Sequence, residues 1–369
     1  MRCGSLQTKR NGHRKLKSRQ RIHRFLCLDC NHSWTFTSAE KINVKTEKQI
    51  VRESMERASV RILARRFSKS KTTIISGIHA VCKHLADSVT LAGKLKPKWS
   101  GVLVVDGKWI RAYDPSSQRI IRKLSKEERG RLHRFVWLLG VDSGTGDIPN
   151  HSIAEEETKI DIMMYFQDLK RMNYPLKAVI SDGVPWYGQA AQKIFGKQVV
   201  IQHCTRHFLE RCRWRMRENE LGLQSERTAM LIYFIKNIIE ASRISEAKVW
   251  LKRLKRNKRV LIRTRTQKWI LRRFKQEAKY LTAHIFNPKL NFPHTNNDVE
   301  NMIGQAEKRL STICRFNHWR NARDYLNAWT LWRRFAPFTD CKGGRKNRNG
   351  KSPLQLAGVD TSKVSWTEL

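Results

Sequence analysis

The sequence predicts an α/β protein, with a sheet-and-helix layer in its middle and basic helical segments around it. Three observations lead there. Residues 101–106, GVLVVD, and 176–183, LKAVISDG, hold short apolar runs that stop on an acid, the pattern of buried strands. Residues 160–172 and 185–195 space their apolar side chains for helices. The 369-residue chain carries 74 Lys and Arg against 32 Asp and Glu, a formal net charge of +42, with a long basic stretch after residue 208.

In chain order, residues 1–37 are basic, contain Cys3, Cys27 and Cys30, and end in an aromatic stretch around Trp34 and Phe36. Residues 46–85 read as three short helices, TEKQIVRESMER, SVRILARRF and SKTTIISGIHAVCKHLA, with a short polar break at Phe67-Ser68-Lys69. That fits a helix-turn-helix. Ala64 is small enough for a close helix crossing, and Ser70, Lys71, Thr72 and Thr73 open the helix that would meet phosphates and base edges. The stretch LAGKLKPKWSG, with Gly, Pro and Lys, reads as a linker.

The layer at 100–335 follows. Strands are expected at 101–106, 134–142 and 147–154, the last two joined by the turn Ser143-Gly144-Thr145-Gly146. A helix (160–172), a strand (176–183), a helix (185–195) and a strand (197–204) complete it, with mixed strand directions. From 208 to about 290 the chain reads as helical and basic, and Arg253, Arg256 and Arg259 are its candidates for phosphate contact. A further helix begins near Asn296, with Val299, Met302, Ile303, Ala306, Leu310 and Ile313 on one face. The polar, Gly-rich residues of 340–369 are expected to form a loop or a disordered end.

A hydrophobic content of 40% with 12 Trp supports real cores and excludes a disordered basic chain. The length suggests roughly two to four domains. So large a positive excess in a folded protein points to a polyanionic partner, nucleic acid first. No run of about 18 apolar residues occurs, and the N-terminus lacks the apolar centre of a secretory signal, so no membrane partner is expected. Eight cysteines with one close pair do not make a disulfide framework. A reduced, cytoplasmic and nucleoid-associated setting follows.

Acids are scarce here, so their positions matter. Asp106 and Asp182 each finish an apolar run and precede Gly, at a sheet rim where functional groups gather. Asp-Gly also marks ordinary turns. Glu300 heads the late helix, where a carboxylate also suits the helix dipole, as does Asp298. Converging, the three would repel one another unless cations neutralised them. Hard divalent ions such as Mg²⁺ take oxygen ligands, and a pair about 4 Å apart can activate an attacking oxygen and stabilise a leaving one in a phosphodiester.

At these residues the sequence resembles the Mutator-like DDE transposases of prokaryotic insertion sequences. VVDGKW is similar to the family's first-acid strand, AVISDG to its second, HTNNDVE to the start of its last-acid helix, and IQHCTRH to a Q-x-C-x-x-H segment after the second acid. The motifs run in the family's order from about 100 to 335. The resemblance implies an RNase H-like catalytic core with a helical insertion, here about 208–290. It also implies catalytic, Mg²⁺- or Mn²⁺-binding roles for Asp106, Asp182 and Glu300. Where the family carries Asn shortly after its last acid, this chain has Met302 and Ile303. Cys204 and His207 supply at most two zinc ligands, so a buried Cys and a hydrogen-bonded His beside the active site is the preferred reading. Glu157 resembles an accessory acid before the family's first helix.

The head resembles the zinc ribbons of such transposases. Cys27 and Cys30 form a C-x-x-C pair, and Cys3 is followed by Gly-Ser as the second Cys of a knuckle would be. The missing fourth ligand for Zn²⁺ would fall just before Met1, or a histidine such as His13, His23 or His32 replaces it, or the site is lost. The expected activity is binding of terminal inverted repeats in double-stranded DNA, metal-dependent cleavage and strand transfer, by a homodimer or larger synaptic complex. The competing expectations are a catalytically inactive DNA-binding regulator and a metal-dependent nuclease with the same core.

Overall fold

The structure, a computed structural model, describes residues 7–15, 21–35, 43–56, 58–111, 134–310, 316 and 319–369. The chain divides into two compact units, Met1–Glu47 and Lys48–Leu369. In the first, β1 (Thr8–Lys15), β2 (Arg21–Cys27) and β3 (Ser33–Thr35) form an antiparallel sheet in that order. Cys27 is buried at the end of β2, and Cys30 lies exposed in the following turn. Cys3 lies outside the described residues.

The boundary between the units falls within α1 (Val44–Met55), and α2 (Val60–Arg66) and α3 (Lys71–Cys82) follow it in the second. Ser59 and Ser70 cap α2 and α3 by accepting from the amides of Ile62 and Thr73, which satisfies donors a helix start leaves open. Ser68 takes a left-handed φ of 51° in the turn between them. The stretch expected as a linker is partly helical, as α4 (Ser88–Leu95). Asp87 caps it, and Leu91 and Ala92 are buried, so packing prevails over the Gly and Lys content that suggested a loop.

A five-stranded mixed sheet follows, in the order β6-β5-β4-β7-β8. Its strands are β4 (Val102–Arg111), β5 (Arg134–Asp142), β6 (His151–Ala154), β7 (Ala178–Ser181) and β8 (Val200–His203). The pairs β4–β5 and β5–β6 are antiparallel, while β4–β7 and β7–β8 are parallel. The parallel pairs are bridged by α5 (Lys159–Arg171) and α6 (Pro185–Phe195), since parallel neighbours need a crossover. Leu103, Val105, Val136, Leu138 and Val179 pack with Ile162, Phe166, Leu169 and Tyr187 into one core. Side chains alternate along a strand, so Asp106 points to the opposite face from Leu103 and Val105.

Beyond β8 come α7 (Thr205–Asn219), α8 (Gly222–Ile239), α9 (Ile244–Leu261), α10 (Arg265–Leu281) and the short α11 (Ala283–Phe286). Phe208, Leu231, Ile235, Leu254, Ile270 and Phe274 give them a core of their own. This helical body leaves the sheet and returns to the same point. The amide of Thr205, at its start, donates to the carbonyl of His294, after its end, at 3.0 Å.

The returning chain forms α12 (Asn297–Leu310), which buries Val299, Met302, Ile303 and Ala306 and packs on β4 and β5. Leu310 is only half-buried, and Ile313 lies outside the described residues. Next is α13 (Trp319–Phe335). The segment after 340 is packed, contrary to expectation. Ser352 and Gln355 form a capping box on α14 (Pro353–Leu356), and Leu354, Ala357 and Trp366 are buried. Ala357 and Leu369 accept backbone bonds from Lys98 and Ala86. A few well-spaced apolar residues hold a segment whose average composition is polar. Among the described residues no helix is long and apolar enough to cross a membrane.

Candidate active site

The two strand acids meet through register. β4 and β7 pair Val102 with Ala178, Leu103 with Val179 and Val104 with Ile180. The same offset carried two residues further sets Asp106 beside Asp182, on one face. Asp106 does not end its strand as the sequence suggested: β4 runs on to Arg111, paired with β5 alone. What ends there is its neighbour, because β7 stops at Ser181. The gap it leaves opens the rim at Asp106. Asp182 accepts from the Val184 amide at 3.0 Å, and Gly183, at φ 95°, makes the turn that α6 needs.

Asp106 accepts from the Gly107 amide at 2.9 Å through Oδ1 and from Asn296 Nδ2 at 3.0 Å through Oδ2. Its pKa rises to about 7, first through burial and then through the charge of Asp182, with Glu157 adding to it. Neighbouring ionised carboxylates repel, and burial weakens the screening that would relieve them. Uncompensated, Asp106 is pushed toward its protonated form, and a cation would displace that proton.

Glu157 is the third acid of this group. A Cβ at Gly107 would stand 3.0 Å from its carboxyl, so the glycine leaves the space it occupies. Tyr187, on α6, donates to its Oε1 at 2.6 Å. Burial raises the Glu157 pKa, the tyrosine opposes that, and Asp182 reinforces it. The accessory acid of the sequence reading therefore stands within electrostatic reach of both strand acids.

Glu300 lies in the first turn of α12 and is held differently. Arg206 donates to its Oε2, and His207 Nε2 lies 3.6 Å from Oε1. Burial is the main reason His207 has a lowered pKa, and Asp182 works against it. The link from this helix to the strand acids runs through Asn296, one turn before Glu300. Its Nδ2 donates to Asp106, and its Oδ1 accepts from the Cys204 thiol at 3.1 Å. Burial raises the Cys204 pKa and keeps the thiol protonated, the form that donates. Asn296 and Arg206 were not singled out from sequence, although both lie inside the quoted HTNNDVE and IQHCTRH.

Asp106, Asp182 and Glu157 thus form an interacting group, and Glu300, on the helix that Asn296 ties to Asp106, is paired with Arg206. Among the described residues no three His, Cys, Asp or Glu side chains are drawn into a metal cluster. The donor set nevertheless suits Mg²⁺ or Mn²⁺, being carboxylate oxygens, with one acid still protonated near neutrality and Glu300 Oε1 buried without a hydrogen-bond partner. Zinc has less. Cys27 and Cys30 provide two ligands, while His13 and His23 pair with each other across β1 and β2, ring centroids 4.4 Å apart.

The remaining candidates are spread over the surface. Lys71 and Thr72 are exposed at the start of α3, whereas Ser70 and Thr73 bond each other in the cap. Arg61, Arg65, Lys69 and Lys71 line a concave basic surface between α2 and α3. Arg253, Arg256 and Arg259 are exposed along α9, with Arg253 over the Trp250 ring at 4.5 Å. Asp298 does more than favour a helix dipole. It accepts from Ser143 Oγ at 2.8 Å and is gripped by both terminal nitrogens of Arg345. No family model matches the chain, and no curated protein does.

Proposed function

We propose that the chain is the DNA transposase of an insertion sequence, with an RNase H-like DDE core. The observation that carries this reading is the β4–β7 register setting Asp106 beside Asp182, with Asn296 tying the helix of Glu300 to Asp106. Three leading antiparallel strands followed by two parallel ones, and a helical body inserted before the last acid, support the core assignment. The exposed arginines of α9 and the net charge of +42 support DNA as partner.

Asp106, Asp182 and Glu300, with Glu157 beside them, would hold Mg²⁺ or Mn²⁺, which when bound supplies activation of the attacking oxygen and stabilisation of the leaving one. Around them the chain orients. Asn296 fixes one oxygen of Asp106, Cys204 fixes Asn296, and Tyr187 fixes Glu157. Arg206 holds Glu300, with His207 3.6 Å from its other oxygen, where it would serve as a ligand. That same clamp, with Met302 and Ile303 buried after Glu300, favours a second reading as a catalytically silent DNA-binding regulator.

The test uses DNA carrying the sequences that flank the gene. Wild type with Mg²⁺ is expected to cut at repeat ends and join the freed 3′ ends to target. Asp182→Asn should lose cleavage while binding as well or more tightly, because a carboxylate that repels phosphate is gone. Binding without cleavage by wild type supports the regulator, and cleavage without joining supports a nuclease. Undiminished cleavage by the variant removes Asp182 from the mechanism.

A further inference from the structure

Two consecutive arginines end α13, and the fold treats them differently. Arg334 is fully buried with Asp147, its Nε and Nη2 donating to the two carboxylate oxygens at 2.8 Å each. Arg333 is 5% exposed and, among the described residues, has no carboxylate at ion-pair distance. Its Nη1 donates to the Ala336 carbonyl at 2.8 Å, its guanidinium stacks on Phe338 at 4.5 Å, and its Nε is buried without a hydrogen-bond partner. A buried cation without an anion costs several kcal/mol. Burial accordingly pulls the Arg333 pKa below the usual arginine value.

Arg333 lines a cleft of about 780 Å³ between α12, the end of α13 and the tail. Glu300, the acid in the first turn of α12, lines the same cleft. Lys308 and Lys342 add positive charge to its walls; of the acids that line it, Asp298 is paired with Arg345 and Glu300 with Arg206, which leaves Asp340. The volume is in the range that holds a nucleotide-sized group.

We propose that this cleft binds a backbone phosphate of the DNA strand that runs to Asp106 and Asp182, with Arg333 as the buried anchor and Lys342 at the rim. The inference rests on the DNA-cutting reading above, but it assigns a separate anion site that the tail completes. A guanidinium presented with its carbonyl and aromatic contacts already made is preorganised for phosphate oxygens. The tail residues that wall the cleft, Arg345 and Arg348, are anchored to Asp298 and to the carbonyls of Ser143 and Gly144, so the walls stand before DNA arrives.

Cys341 also lines the cleft and is partly exposed, which provides a reporter in the full chain. Its alkylation by iodoacetamide is followed by peptide mass spectrometry without metal, alone, with a fluorescein-labelled duplex and with pyrophosphate, while anisotropy reports duplex binding. The duplex, supplied at about ten times its dissociation constant, should bind and slow alkylation about tenfold. Arg333→Gln should abolish the protection and Arg333→Lys retain it. Lys342→Gln, on the surface, should weaken it about threefold, and decides the matter if the Arg333 variants do not fold. A duplex that binds while Cys341 reacts at its free rate, or a Lys342→Gln variant that is fully protected, overturns the cleft and leaves the DNA reading intact. Equal protection by pyrophosphate makes it a small-anion site and overturns the strand assignment. No duplex binding at all sinks the DNA reading itself, and this inference with it.

Discussion

Asp106 is a carboxylate held against its own preference. Its ordinary value of 3.8 rises to about 7, through burial first and Asp182 second. Between those two values the folded chain keeps a proton that the unfolded chain has lost, so stability falls as pH rises through that window. Asp106→Asn removes the charge and should stabilise the protein at pH 8 by on the order of 2 kcal/mol, with little effect at pH 4. Melting curves at the two pH values check this, and an equal gain at both would show that the charge is not the cause. Both strand acids were legible as the ends of apolar runs. Their adjacency was not, because it depends on a strand register that only the folded sheet defines. Asn296 was printed in the motif but had no visible partner, since Asp106 and Cys204 reach it from distant segments.

At the scale of elements, the attachment of the helical body to the sheet is the feature most exposed to disruption. Glu277 of α10 reaches His203 at the end of β8 at 3.1 Å, and Arg211 and Arg273 also contact it. Burial opposes its charge, but these partners outweigh burial and hold its pKa below the ordinary 4.5. Its contribution is therefore present above that value and is lost as pH falls through the lowered one. Glu277→Gln should cost roughly 3 kcal/mol at pH 7, because one acid serves three partners. Hydrogen exchange should quicken in α10 ahead of β4 and β5; uniform acceleration would mean that the tie is not local. The helices of this body were legible from their apolar spacing. The length of β4 beyond Asp106 was not, since Gly107 and Lys108 interrupt the apolar run while pairing with Leu138 and Trp137 of β5. The packed tail was missed for the reverse reason, its few apolar anchors being diluted by Gly, Lys and Asn.

At the scale of the whole molecule, charge is the property that sequence reports most directly, because it needs no fold. With +42 on 369 residues, DNA affinity should fall steeply with salt as counterions are no longer released to advantage. Replacing Arg253, Arg256 and Arg259 by Gln should flatten the log–log salt slope by about 2–3 units and weaken all sequences alike. Anisotropy titrations over a salt series measure both. A loss confined to the element's own ends would instead mean base readout by α9.

If these acids form one divalent-metal centre, anomalous scattering from Mn²⁺ in crystals of the full chain will locate it. Density is expected between the carboxylates of Asp106 and Asp182, at the roughly 2.0–2.4 Å that hard cations take from oxygen. Glu300 should have left Arg206 for the metal, and Asp182→Asn should erase the signal. Saturating Mn²⁺ with no density at Asp106 and Asp182, and Glu300 still bound to Arg206, would contradict it.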